Sequence, residues 1–203
     1  MTKYVFYLKE ALFKPSTFFK HQNDNPNIIH VNWIIIPAIT FIVISLVHWI
    51  STSITLNEIE LGFEGFLFVH IEHLIFGITL SLFIWFRTWI PLKYIGKINN
   101  RTPEITAWCN TPYMVILFIL LCIFIIYFSL FGNAANVPVG RGPSITSVQH
   151  GTGIFRIAIL ISDIWCIFLM YNAVSVLNQM KIKKLLLGAI IIFFLPSLIF
   201  MII

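Results

Sequence analysis

The chain has 203 residues, of which 59% are hydrophobic and 10% charged, and its formal net charge is +5. Soluble domains average about 25% charged residues. This composition, with a mean hydropathy of +0.92, therefore excludes an ordinary soluble domain and predicts an integral membrane protein. The basic residues interrupt the apolar runs instead of forming a patch, which argues against nucleic-acid binding. The three cysteines lack CxxC spacing, so they imply neither a disulfide framework nor a metal site, and no cofactor is predicted.

Residues 1–30 are predicted to form a cytoplasmic segment and linker ahead of the membrane domain. Apolar residues at helical spacing predict a short amphipathic helix lying at the membrane surface: Tyr4, Tyr7, Leu8, Ala11 and Leu12. Pro15 ends this helix. Residues 21–27 (HQNDNPN) are polar and typical of a turn or joint.

Residues 31–203 are predicted to form a single all-α membrane domain, a bundle of five transmembrane helices. The apolar runs lie at approximately 31–50, 66–86, 112–131, 154–177 and 185–203, and each is long enough to cross a bilayer as a helix. The second run ends at Arg87. The connections at 51–64, 91–111 and 132–153 are predicted to be loops, and the last of these is rich in Gly, Pro, Ser and Asn.

The positions of lysine and arginine predict the orientation in the membrane. With five crossings, eleven of the basic residues fall on one side, and only Arg141 and Arg156 fall on the other. Basic residues favour the cytoplasmic side. The chain is therefore predicted to have its N-terminus in the cytoplasm and its C-terminus outside. Seven lysines are expected to contact anionic headgroups or a partner: Lys9, Lys14, Lys93, Lys97, Lys181, Lys183 and Lys184.

Ionisable residues inside the predicted spans point to a candidate site. Each such residue costs roughly 2.5–3.5 kcal/mol on insertion scales, so it usually faces protein or water. The predicted topology brings six of them to the outer half of the bilayer: His48, His70, Glu72, His73, Arg156 and Asp163. We expect them to converge on one outward-opening polar pocket in which Arg156 balances a carboxylate.

Three interpretations of these polar residues remain open. They fix helix packing, line a ligand or ion pocket, or form a metal or catalytic site. His70 and His73 lie one turn apart and are weak metal candidates with Glu72. However, HIEH matches neither HExxH nor HxxEH, which place a general base between two ligands.

The layout resembles the Yip family of five-span, Ypt/Rab-interacting membrane proteins, in its bacterial branch. Residues 11–19 (ALFKPSTFF) are similar to the proline-containing amphipathic segment that precedes the first span in that branch. Residues 106–112 (TAWCNTP) resemble the entry into the third span. Residues 163–165 (DIW) and 171–181 (YNAVSVLNQMK) resemble the fourth span and its linker to the last. The motif at 70–73 (HIEH) is not expected from the family.

The resemblance implies a membrane protein without enzymatic activity, cofactors or catalytic residues. We therefore expect a protein that associates with membrane partners, as an accessory in transport, trafficking or toxin immunity. A transporter, an export system and a second copy of the chain are candidate partners beside the lipid bilayer. The first alternative is a transporter or channel component that handles protons or cations in the outer-half pocket. The second is a metal-dependent membrane enzyme.

Overall fold

A computed structural model describes residues 2–24, 35–56, 63–98, 101–131, 145–177 and 182–202. Its described elements are helical, and these residues contain no strand. The helices are α1 (Thr2–Phe13), α2 (Pro15–Asp24), α3 (Ile35–Leu56), α4 (Phe63–Ile90), α5 (Thr102–Cys109), α6 (Thr111–Phe131), α7 (Ile145–Leu177) and α8 (Ile182–Ile202). A π-helical turn, Pro91–Ile95, extends α4. The all-helical fold class is thus confirmed.

Three stretches of the described residues are long and apolar enough to cross a membrane: Leu74–Ile95, Thr102–Ile123 and Ile154–Leu177. A shorter apolar helix covers Ile35–Val47. Helices α3 and α8, which overlap the predicted first and fifth spans, contain 22 and 21 residues. At a rise of about 1.5 Å per residue, helices of this length extend roughly 30 Å, the thickness of a bilayer core.

The core of the bundle lies where α3, α4, α6, α7 and α8 pack together. Helix α3 packs against α4 and α6, and α7 packs against both α6 and α8. Buried aliphatic and aromatic side chains fill the interior, including Ile44, Leu117, Leu169 and Phe193. The remaining apolar residues of these helices form an exposed surface suited to lipid.

The two N-terminal helices pack onto this bundle. Ala11 of α1 and Phe18 of α2 belong to the common core, and the Phe18 ring meets the Trp108 ring edge-on at 4.9 Å. The hydroxyl of Ser16 donates to Asn172 Oδ1 at 2.6 Å. The predicted helix before Pro15 is therefore present, but part of its apolar face contacts protein. Residues 21–24, expected to form a turn, instead continue α2.

Helix α4 extends beyond the predicted end of the second span at Arg87. Proline lacks an amide hydrogen, and the helix accommodates Pro91 by widening into the π-helical turn. There the amide of Gly96 donates to the Pro91 carbonyl at 2.9 Å. Lys97 then stops the helix with a φ of 52°. Arg87 consequently lies inside a helix instead of in a cytoplasmic loop.

Two of the predicted loops contain further helix. The 91–111 connection includes the π-helical turn and α5, and it is largely buried. Helix α7 begins at Ile145, so residues 145–153 are helical, whereas residues 132–144 lie outside the described residues. Glycine, proline and polar residues at these positions indicated loops, but tertiary packing overrides such local preferences.

Helices α3 and α4 approach each other closely at Gly77. A Cβ atom at this position would lie 2.0 Å from Ser45 Oγ and 3.3 Å from the Phe41 ring. One turn later, Ser81 Oγ faces the carbonyl of Pro37 at 3.5 Å. Small residues spaced by four are typical of tightly packed membrane helices. This contact therefore fixes the distance between α3 and α4.

Enlarging Gly77 is expected to destabilise the bundle in proportion to the added volume. Gly77→Ala requires rotation of the Ser45 hydroxyl and a small shift away from Ser45 Cβ and the Phe41 ring, at 3.1 and 3.3 Å. Gly77→Leu must separate the helices and is expected to cost about 1–3 kcal/mol. Thermal unfolding in mild detergent measures the difference. Thr79→Leu, at an exposed position of the same helix, is the matched control. Equal stability of Gly77→Leu and Thr79→Leu would contradict a close approach here.

Candidate functional site

A buried cluster of Arg87, Tyr113 and Asp163 joins three of the apolar helices. Arg87 of α4 donates from Nη2 to Asp163 Oδ1 of α7 and to the Tyr113 hydroxyl of α6. The Tyr113 hydroxyl donates in turn to Asp163 Oδ1. Arg87 is 5% exposed, and Tyr113 and Asp163 are completely buried. The three side chains therefore form a closed, charge-neutral group.

A second polar group lies next to the first. Thr88 donates to Asn110 Oδ1 at 2.7 Å, and its hydroxyl lies 3.5 Å from Cys166 Sγ. The Cys166 thiol also approaches Asn110 Oδ1, at 3.6 Å. All three side chains are buried. Asn110 occupies the turn between α5 and α6, where its amide caps α5 and its carbonyl accepts from the amide of Tyr113.

The order of the two groups gives the relative directions of the helices. Along α4, Arg87 of the first group comes directly before Thr88 of the second group. The same order holds along α7 from Asp163 to Cys166, a rise of about 4.5 Å over three residues. It is reversed along the chain from Asn110 to Tyr113. Helices α4 and α7 therefore run in the same direction at this level, and α6 runs opposite to both.

Aromatic rings surround the Arg87 guanidinium. Its Cζ atom lies 4.2 Å from the centre of the Phe193 ring on α8 and 5.3 Å from that of Phe83 on α4. Rings at such distances attract a cation through their electron-rich faces. Phe193 thereby brings α8 into contact with the ion pair, so that four helices meet at a single charge.

The cluster lies at intermediate depth in the candidate spans. Arg87, Tyr113 and Asp163 fall within Leu74–Ile95, Thr102–Ile123 and Ile154–Leu177, respectively. At this depth a charge needs a partner, and removing one member of a buried ion pair typically costs about 3–5 kcal/mol. The arrangement can fix which helices pack together, and at what height. It presents no open surface on which a substrate could bind.

The structure describes the side chains of three of the six residues that were expected to share a pocket. Asp163 pairs with Arg87, while Glu72 and Arg156 are exposed at the surface of α4 and α7. Glu72 precedes Arg87 by about 22 Å along α4, at 1.5 Å per residue. The side chains of His48, His70 and His73 lie outside the described residues. The pocket as a whole therefore stays a prediction.

The predicted basic residues occupy the surface wherever they are described. Lys9, Lys14, Lys97, Lys183 and Lys184 are exposed, and Lys93 is half-buried. Lys181 lies outside the described residues. Within the described part of the chain, no group of three or more His, Cys, Asp and Glu residues is arranged to hold a metal ion.

Sequence reasoning singled out Asp163 but missed its partners. Arg87 follows directly on an apolar run and was read as the loop residue that ends it. Tyr113 stands at the start of the third predicted span, where an aromatic residue is typical of the membrane boundary. An aspartate within a span needs a nearby cation, and Arg87 stands inside a run that continues to Ile95. The continuation of the apolar run to Ile95 is the sequence feature that indicates a position for Arg87 inside a span.

Long apolar helices packed around a neutralised ion pair define an integral membrane protein of the all-helical class. The family model of the Yip1 domain matches residues 9–203. The chain therefore belongs to the Yip family, and this confirms the resemblance to that family seen in the sequence. The Yip family consists of membrane proteins without enzymatic activity. No curated protein and no solved structure matches the chain.

Neutralising Asp163 is expected to destabilise the protein strongly. Asp163→Asn keeps the size of the side chain but leaves the buried Arg87 without its counter-charge, at a cost of about 3–5 kcal/mol. Glu72→Gln makes the same chemical change at an exposed position of α4 and should stay within about 0.5 kcal/mol. Unfolding followed by tryptophan fluorescence in mild detergent measures both. Similar losses in the two variants would contradict the assigned pair.

Proposed function

We propose that this protein acts without enzymatic chemistry, by associating with other membrane proteins as an accessory in transport, trafficking or toxin immunity. The observation that carries the proposal is the closed Arg87–Tyr113–Asp163 cluster. Its charges satisfy one another within the chain, which suits a packing device better than a conduction path. Membership of the Yip family over residues 9–203 supports the same conclusion.

The proposed topology has five spans, with the N-terminus in the cytoplasm of a bacterial cell. The lengths of α3, α4, α6, α7 and α8 support it, as do the alternating directions of α4, α6 and α7. Exposed lysines at the predicted cytoplasmic ends agree with this orientation. We retain the division into a segment at 1–30 and a membrane domain at 31–203 as part of the proposal.

Helix α7 offers a surface for the proposed association. Ile161, Ile164, Trp165 and Phe168 line a shallow, wholly apolar groove on its outer side. Three of these residues are about half exposed, at 48%, 53% and 51% for Ile161, Ile164 and Phe168. In lipid, helices associate by close packing of complementary surfaces. A groove of this kind fits a transmembrane helix of a transporter, an export component or a second copy of this chain.

The test is recovery of a partner from mild detergent, identified by mass spectrometry. We expect the wild-type protein to retain a specific membrane protein. The variant Ile161→Ala/Ile164→Ala/Phe168→Ala should lose about nine-tenths of it, because each truncation removes contact area from one groove. The matched control is Ile75→Ala/Ile78→Ala/Leu82→Ala on the exposed side of α4. Wild-type protein recovered without any partner would contradict the proposal.

The second candidate function is a transport component built on the outer-half residues. One observation favours it: Glu72 is an exposed carboxylate on an apolar helix, whereas the charge of Asp163 is already matched by Arg87. Carboxylates within membrane helices often mark ion pathways. Proton or cation flux in reconstituted vesicles that disappears in Glu72→Gln would favour this candidate. Flux that survives the substitution would exclude a role for Glu72.

A further inference from the structure

Three side chains at the C-terminal end of α4 form an aromatic–lysine cluster: Trp89, Lys93 and Tyr94. The Lys93 ammonium lies 4.3 Å from the centre of the Trp89 ring and 5.5 Å from that of Tyr94. The two rings meet edge-on at 6.0 Å. Phe86 extends the aromatic surface, 6.3 Å from Trp89. The cluster is separate from the buried ion pair.

The cluster sits where an apolar surface ends. Leu82, Phe86 and Ile90 are 51%, 51% and 40% exposed and follow one another along the outside of α4. Tyr94, at the end of this stripe, is 64% exposed. Lys93 and Tyr94 belong to the last turn of the candidate span Leu74–Ile95. They therefore lie at the level of the lipid headgroups, with acyl chains beside the stripe.

The chemistry of the cluster favours a phosphate. It combines one ammonium, one indole N–H and one phenolic O–H, all of which can donate hydrogen bonds to an anionic oxygen. The candidate span Leu74–Ile95 contains no aspartate or glutamate, and Glu72 of α4 precedes Lys93 by about 31 Å along the helix. The aromatic rings orient the Lys93 ammonium through the attraction between a cation and their faces. The lysine side chain therefore loses less conformational entropy when a ligand binds.

We propose that Trp89, Lys93 and Tyr94 bind the phosphodiester of a membrane phospholipid, whose acyl chain lies along Leu82, Phe86 and Ile90. Phospholipid headgroups are present on both sides of a bilayer. The inference therefore requires only that α4 crosses the membrane and does not depend on which end faces the cytoplasm. It is also independent of the protein partner.

Native mass spectrometry of the purified full-length protein tests this assignment. The protein is titrated with phosphatidylglycerol, with phosphatidylcholine, and with inorganic phosphate as a competitor. Lys93→Gln should weaken the binding of both lipids about tenfold, the loss of roughly one charge-assisted contact. Lys20→Gln, at an exposed lysine of α2 that is not among the seven lysines expected to contact headgroups, is the matched control and should change binding less than twofold.

Each outcome decides the proposal. Selective loss in Lys93→Gln, with no competition by inorganic phosphate, establishes a phospholipid site at the cluster. Equal loss in Lys93→Gln and Lys20→Gln would show general attraction to basic residues and overturn it. Competition by inorganic phosphate at equal concentration would assign the site to free phosphate instead. Trp89→Leu tests the same cluster without changing the net charge of the protein. It should weaken lipid binding although every lysine stays in place.

Discussion

The ion pair between Arg87 and Asp163 is the constraint on which the described bundle depends. Neither charge is acceptable alone in a hydrocarbon environment, so α4 and α7 must meet at the height where the two side chains reach each other. Tyr113 donates to Asp163 and accepts from Arg87, which adds α6 to the same level. Phe193 stacks on the guanidinium and adds α8. Apolar contacts alone tolerate sliding between helices, whereas a charge pair of this kind permits only one register.

Other features of the bundle follow from that register. The second polar group, formed by Thr88, Asn110 and Cys166, lies one turn away and holds the junction of α5 and α6 against α4 and α7. Asn172, about two turns further along α7, accepts a hydrogen bond from the Ser16 hydroxyl and so anchors the N-terminal helices. Asp163 and Cys166 contact α4 and the α5–α6 region, and Asn172 lies about 180° from Asp163 around α7, while Ile161, Ile164 and Phe168 stay exposed. A helix divided in this way can hold its own bundle together and still present a surface to a membrane partner.

The sequence predicted the helical class, the membrane character and the family, because hydropathy and a few short motifs carry that information directly. It also marked Asp163 as unusual. It could not give the partner of Asp163, because the predicted second span ended at Arg87, whereas α4 extends beyond it through the π-helical turn at Pro91. Arg87 therefore lies inside the helix, where it pairs with Asp163. The helical start of α7 and the buried α5 were hidden by polar and glycine-rich sequence whose preferences tertiary packing overrides.

The most direct test of this account is a double-mutant cycle on the ion pair. Arg87→Leu, Asp163→Leu and the double variant are unfolded in the same mild detergent, and the three losses in unfolding free energy are compared. Each single variant leaves an unpaired buried charge, whereas the double variant leaves none. The account predicts that the double variant is more stable than either single variant. A double variant whose loss equals the sum of the single losses would show that Arg87 and Asp163 do not interact, and would contradict it.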